Sequence, residues 1–199
     1  ATPAGLAADP DNRLLWRWPL RRLEAEVIRD AMFAVSGRLD LMRFGPYVPT
    51  RQTPVGEVVV DLQTAGAHRR SVYLQQRRSQ TLSLLKVFDA PAISTICSTR
   101  PSSTVPLQSL ALLNSDFALT CSEAFAQRLL RETGADSAEL VDRAWRCAVG
   151  RSPTVEEAAV AVSFLSEQQR QYADEQSRFW SVTDLCQMLL ASNAFLYLE

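Results

Sequence analysis

The chain has 199 residues, of which 47% are hydrophobic and 22% charged. That is enough apolar material for a full core, and too ordinary a charge content for a disordered segment. A formal net charge of −1 gives the whole chain no pull toward nucleic acid or an anionic membrane, and no apolar stretch is long enough to span a bilayer.

Residues 1–8 read as a frayed lead-in, with no basic stretch followed by an apolar run of the kind that opens a signal peptide. Asp9-Pro10 predicts a helix start, a capping carboxylate before proline, with a short helix to about Arg17 and a break at Pro19. A longer helix is predicted from about Leu20 to Ser36. Leu23, Val27, Ala31 and Val35 recur on one face of it, and Gly37 stops it. Residues 38–70 are punctuated by Gly45, Pro46, Pro49, Pro54, Gly56 and Gly66. Val58–Val60 and Ser71–Leu74 are predicted strands there, and Leu82–Phe88 a short helix. A Ser/Thr/Pro-rich loop covers 90–104.

The helical signals sharpen after that loop. Pro106 opens a helix to Asn114. Ser115 caps the next, to about Thr133, with Gly134 as terminator. Asp136 caps a third, ending at Gly150, with Glu139–Arg143 and Asp142–Arg146 as pairs one turn apart. Thr154-x-x-Glu157 is a capping box for a long helix, and Ser181-x-x-Asp184 starts the last. The expected fold is mainly α, a bundle-like single domain over 1–199. A small irregular or β-containing insertion lies around residues 38–80, within an irregular lobe at 38–103, and a five-helix core occupies 104–199.

Charge is unevenly spread. Residues 1–100 hold 14 Lys and Arg against 9 Asp and Glu, and the remainder holds 7 against 13. The halves either attract each other or present faces of opposite sign. Lys86 is the sole lysine, so positive sites favour the planar, bidentate contacts of arginine. Cys97, Cys121, Cys147 and Cys186 form no Cys-x-x-Cys, which leaves no zinc knuckle or haem attachment site in this chain. Cys121, Cys147 and Cys186 are expected as buried small hydrophobes and Cys97 as a loop residue; a disulfide cannot be paired from spacing.

A set of strings in a fixed order carries a family likeness. They are Asp9-Pro-Asp-Asn-Arg-Leu-Leu-Trp-Arg17, Arg22-Leu-Glu-Ala-Glu26, Arg70-Ser-Val-Tyr-Leu74, Arg77-Arg-Ser79 and Phe88-Asp-Ala-Pro91. Cys97-x-x-Arg100, Ser103-Thr-x-Pro-Leu-Gln108, Leu112-Leu-Asn114, Val149-Gly-Arg151 and Phe195-Leu-Tyr-Leu198 follow. From about Asp9 onward the chain resembles the planctomycete "PSD-one" domain, also called domain of unknown function fifteen-fifty-three. The resemblance implies the C-terminal part of a large bacterial protein, periplasmic or otherwise exported, with a cytochrome-c-like domain upstream. Haem c would then sit in that upstream domain, with no cofactor in this chain. The family brings no established activity. Its usual Gly-Gly-Pro appears here as Phe44-Gly45-Pro46, and the polar residue expected after Phe-Asp-Ala-Pro is Ala92.

Candidate polar residues divide between two readings. Asp89 and Arg100, with Arg77 and Arg78 upstream, could form an anion or glycan site beside the helix opening at Thr104. The other reading is a structural loop, with Asp89 bridged to an arginine and Ser103 or Thr104 satisfying the helix end. Glu26 and Asp30 are one turn apart and could hold a metal or act as an acid/base pair; the simpler expectation is Arg22 bridging Glu26. No metal site is expected. His68 is the only histidine, expected as a loop residue whose cationic neighbours disfavour its charged form. Ser83-x-x-Lys86 matches the pattern of serine acyl enzymes, but a second lysine for the companion motif does not exist. Trp16-Arg17-Trp18 reads as packing anchors rather than a base-stacking platform. No catalytic residues are identified.

The first functional expectation is a non-catalytic interaction or structural module, partnered by the upstream domains of its parent chain. The alternative is a domain that binds or hydrolyses acidic polysaccharide through Arg77, Arg78, Asp89 and Arg100, completed by an upstream domain.

Overall fold

The Thr2 hydroxyl accepts from the Gly5 amide at 3.3 Å, and Pro3 needs no donor in the first turn; together they open α1 (Pro3–Ala8). The computed structural model of the protein describes residues 2–18, 20–93, 96–134, 136–172 and 175–198. The helix expected from Asp9-Pro10 to Arg17 does not form, and the helical residues lie in the stretch read as a lead-in. Asp9 ends α1, and its carboxylate accepts from the amides of Arg13 and Leu14 at 2.9 and 2.7 Å. Asn12 and Leu15 take φ near +55°, which stops helix propagation. Pro19, expected to break that helix, lies outside the described residues.

The long helix expected over Leu20–Ser36 is shorter. Its first residues form the strand β1 (Arg21–Arg22), and α2 follows (Ala25–Val35). The buried side is Ala25, Ile28, Arg29, Met32, Phe33 and Val35, so Val27, expected inside, is exposed. Next come β2 (Arg51–Gln52) and β3 (Val58–Val59), an antiparallel hairpin pairing Arg51 with Val59. The strand expected at Ser71–Leu74 is a 3-10 turn, Ser71–Tyr73, after which Leu74 bridges Val48. The short helix α3 (Ser83–Val87) leads to the 90–104 loop.

The C-terminal helices are α4 (Pro106–Asn114), α5 (Asp116–Thr133), α6 (Ser137–Ala148), α7 (Val155–Gln171), α8 (Ser177–Leu190) and α9 (Asn193–Leu196). The strand β4 (Tyr197–Leu198) returns to pair antiparallel with β1. Ser115, Asp136 and Thr154 cap as expected, and Glu157 closes its capping box at 2.7 Å to the Thr154 amide. Two local expectations fail. α8 starts four residues before Ser181, which is buried and donates to the Arg178 carbonyl, while Asp184 accepts from the Tyr172 hydroxyl. Arg143 turns to Glu132 at 2.7 Å instead of pairing with Glu139; Asp142–Arg146 forms as expected.

α8 packs along α5 and α7, and one continuous core joins Leu185 of α8 and Phe125 of α5 to Ile28 and Phe33 of α2 and Leu85 of α3. Each such side chain contributes about 1.5–3 kcal/mol by leaving water. The fold is mainly α, with the irregular 38–80 segment held on the α2 side of this core.

Candidate functional site

The sequence from Arg22 to Glu26 enters α2 beside the 88–104 loop, and this junction collects most of the polar candidates. Arg22 is buried. Its guanidinium donates to Asp89 Oδ2 at 2.8 Å, to the Phe88 carbonyl at 3.0 Å and to the Ser103 carbonyl. Asp89 in turn accepts from the Ser103 amide at 2.7 Å and the Ser103 hydroxyl at 2.8 Å. Partial burial would raise the Asp89 carboxyl, but the Ser103 amide and the Arg22 guanidinium outweigh it and hold the group below its ordinary value. Buried Gln108 completes the junction, donating to the Val87 and Ser103 carbonyls at 3.1 and 3.2 Å. Asp89 thus bridges an arginine, as the structural-loop reading expected, but neither Ser103 nor Thr104 caps α4: Val105 stands at its N-cap, and the Thr104 hydroxyl meets that of Tyr197 at 3.2 Å. The arginine comes from β1, and Arg22 makes no bridge to Glu26.

Glu26 pairs instead with Arg100 at 2.8 Å, and Glu24 joins the same guanidinium at 3.0 Å. These groups are part-exposed, so the cluster is a solvated clasp on the loop. Arg77 bonds Gln80 at 3.0 Å in an exposed turn, and Arg78 is exposed beside it. Among the described residues no hydrogen bond or ion pair joins Arg77 or Arg78 to Asp89 or Arg100; the structure brings the last two to one junction and leaves the arginine pair apart. Glu26 and Asp30 are also separate, because Asp30 accepts from the Ser71 amide and hydroxyl at 2.7 Å each.

Two buried arginines, neither expected in that role from the sequence, organise the irregular lobe. Arg29 donates to the Ala67 and Arg69 carbonyls at 2.8 and 3.0 Å and to the Ser71 hydroxyl at 3.2 Å, and burial lowers its pKa to about 10. Arg69 lies over the Tyr73 ring at 3.8 Å and donates to the Met42, Phe44 and Pro46 carbonyls. A Cβ on Gly66 would stand 3.0 Å from the Arg69 side chain at φ +78°, so glycine is required there. No local pattern announces these contacts, which run from a side chain to distant carbonyls. His68 lies in a turn, as expected. Its ring stands 5.1 Å from Phe33, and burial, then Arg38 and Arg29, lower its pKa.

Beyond the junction, a cavity of about 620 Å³ opens between the β2–β3 hairpin, α3, and one face of α4. Its walls are largely aliphatic, from Val58, Val60, Leu82, Leu84, Leu107 and Leu110, with Phe117 from the start of α5. Leu107, Leu110, Ala111 and Asn114 recur at helical spacing along α4 and face the opening, whereas Leu112 and Gln108 face the core. The rim carries Glu57, Asp61 and Asp116, with Arg51 drawn to Asp61 at 3.5 Å. The size and apolar lining are those of a binding cleft.

A sequence model of the family described as "PSD1: Protein of unknown function (DUF1553)" matches residues 1–165. The chain belongs to that family. No curated protein and no solved structure matches it. The match includes every string that carried the resemblance except Phe195–Leu198. Several PSD1 strings far apart in sequence meet in space. Arg22, Glu24, Glu26, Phe88, Asp89, Arg100, Ser103 and Gln108 all belong to the α2–loop–α4 junction.

The remaining candidates are placed simply. The Ser83 hydroxyl accepts from the Val58 amide at 2.9 Å and is spent on the hairpin. Trp16 packs over Gly5 and donates to the Asp9 carbonyl at 2.9 Å, while Trp18 is exposed. All four cysteines are unbridged. Cys121 and Cys186 are buried, with burial raising Cys121 to about 12; Cys147 is half-buried and Cys97 exposed. Among the described residues no three His, Cys, Asp or Glu side chains are grouped to hold a metal ion, and no helix is long and apolar enough to cross a membrane.

Proposed function

We propose that this chain is a non-catalytic docking module of a larger protein, and that it engages another protein surface through the groove along α4. The observation that carries this reading is the exposed aliphatic face of α4, Leu107 and Leu110, beside an apolar cleft. The polysaccharide reading requires guanidinium forks available to a ligand. The Arg100 guanidinium is spent on Glu24 and Glu26 and the Asp89 carboxylate on Arg22, both holding the 88–104 loop, while Arg77 and Arg78 stand apart from them, which favours docking. Export and linkage to an upstream cytochrome-c-like domain belong to this proposal and rest on the family resemblance.

The test is a double substitution, Leu107→Arg with Leu110→Arg, in the full parent protein. Both side chains are exposed, so the isolated module should melt within a few degrees of wild type. In the parent, limited proteolysis next to the module should become faster. Unchanged cleavage with an intact fold would count against docking at this face.

A further inference from the structure

The loop at 41–47 matches the apolar lining of the groove in chemistry. Leu41, Met42, Phe44 and Tyr47 are all exposed, Phe44 at 81%, in a segment that also carries Arg43. Four large apolar side chains on one short loop are unusual on the surface of a monomer. The loop is held in a fixed shape. Arg69 reaches up from below to three of its carbonyls, and the Tyr73 hydroxyl accepts from the Phe44 amide at 3.1 Å. Phe44 itself is kept at φ +63°, a conformation that disfavours every residue but glycine and its few tolerant substitutes. A strained, exposed phenylalanine on a rigid support is poor for folding and good for insertion into a cleft, since little order remains to be lost on binding.

None of these loop side chains lines the groove of its own copy. We propose that the protein associates head to tail with a second copy of itself, the 41–47 loop of one copy seated in the groove of the next. This rests on the docking reading of the groove and names its partner. The charges agree: the loop brings Arg43 and its neighbour Arg38 against one carboxylate, Asp40, and the groove rim brings Glu57, Asp61 and Asp116 against Arg51. Arg29 also touches the groove, but its guanidinium is engaged by Ala67, Arg69 and Ser71. One loop in one groove is a small interface, so association is weak, in the range of about 10 μM to 1 mM.

Sedimentation equilibrium over that range tests the idea, with Phe44→Gly as the loop variant and Leu110→Arg as the groove variant. Phe44→Gly relieves the backbone, so it folds at least as well as wild type, and a melt confirms both variants. Wild type should rise to at least about twice the monomer mass at the top of the range, and less at high salt. Each variant alone should stay monomeric. An equimolar mixture should recover a one-to-one dimer that grows no further, because each copy then has one competent surface. A monomeric wild type, or a mixture that stays monomeric, would overturn self-association. Docking onto a different domain would survive that result if the parent protein still responded to the α4 substitutions.

Discussion

Asp89 and Arg100 looked alike in sequence and differ in what they hold. Arg22 keeps only 4% of its side chain exposed, and Asp89 is its sole carboxylate partner among the described ion pairs. Asp89→Ala would leave a buried guanidinium without its counter-charge and strand the Ser103 amide, at a cost of about 3 kcal/mol, or roughly 6–12 °C in melting temperature. Arg100→Ala opens part-exposed pairs and should cost under about 1 kcal/mol. Thermal melts of the two variants check this contrast, and equal losses would be incompatible with it. His68 gives a separate pH signature. Its pKa in the folded protein is below the ordinary 6.5, so the unfolded chain takes up the proton first. Stability should therefore fall as pH drops from about 6.5 through the lowered folded value, and level off below it. His68→Phe, which keeps a ring against Phe33, should remove that slope in denaturant titrations. The loss from Asp89, Glu132 and Glu157 would remain, since their depressed values place it at more acidic pH.

At the scale of elements, α4 to α7 were legible because their start signals are local: a proline or a capping side chain contacts its own first turn. The same residue types misled where another bond was available. Asp9 closes a turn on Arg13 and Leu14 instead of opening a helix, and Ser181 bonds back within a helix already under way. β1 was hidden because its partner β4 lies at the far end of the chain. The junction at Asp89 was half legible: the aspartate, Ser103 and the helix start were visible, but Arg22 came from 67 positions away. The groove left only a trace, since the leucines of α4 carry no label saying which face stays open. Capping itself can be measured on α7. Thr154→Ala removes the acceptor for the Glu157 amide and loosens a carboxylate held near pKa 2 by Arg151 and the Thr154 amide. The expected loss is about 1 kcal/mol, or roughly 2–4 °C. No change in the melt would mean that α7 is held by packing alone.

On the scale of the whole molecule, the charge asymmetry did not become a glue between the two halves. Each ion pair seen among the described residues joins partners within 1–100 or within 101–199. The halves are joined by apolar packing of α2 and α3 against α4 and α5, and by polar links such as Arg128 to the Val35 carbonyl at 2.9 Å. The opposite charge excesses of the two halves are therefore not consumed by ion pairs between them, and the apolar face of α4 stays exposed.

Hydrogen exchange along residues 107–114, in the full parent protein and in the isolated module at high dilution, tests the docking claim most directly. Docking at the groove predicts slower exchange of the α4 amides in the parent, lost again in the Leu107→Arg, Leu110→Arg variant. Protection that grows with concentration would identify a second copy as the occupant, and protection independent of concentration a neighbouring domain. Equal exchange in parent and module at every concentration would contradict a docking role for this face.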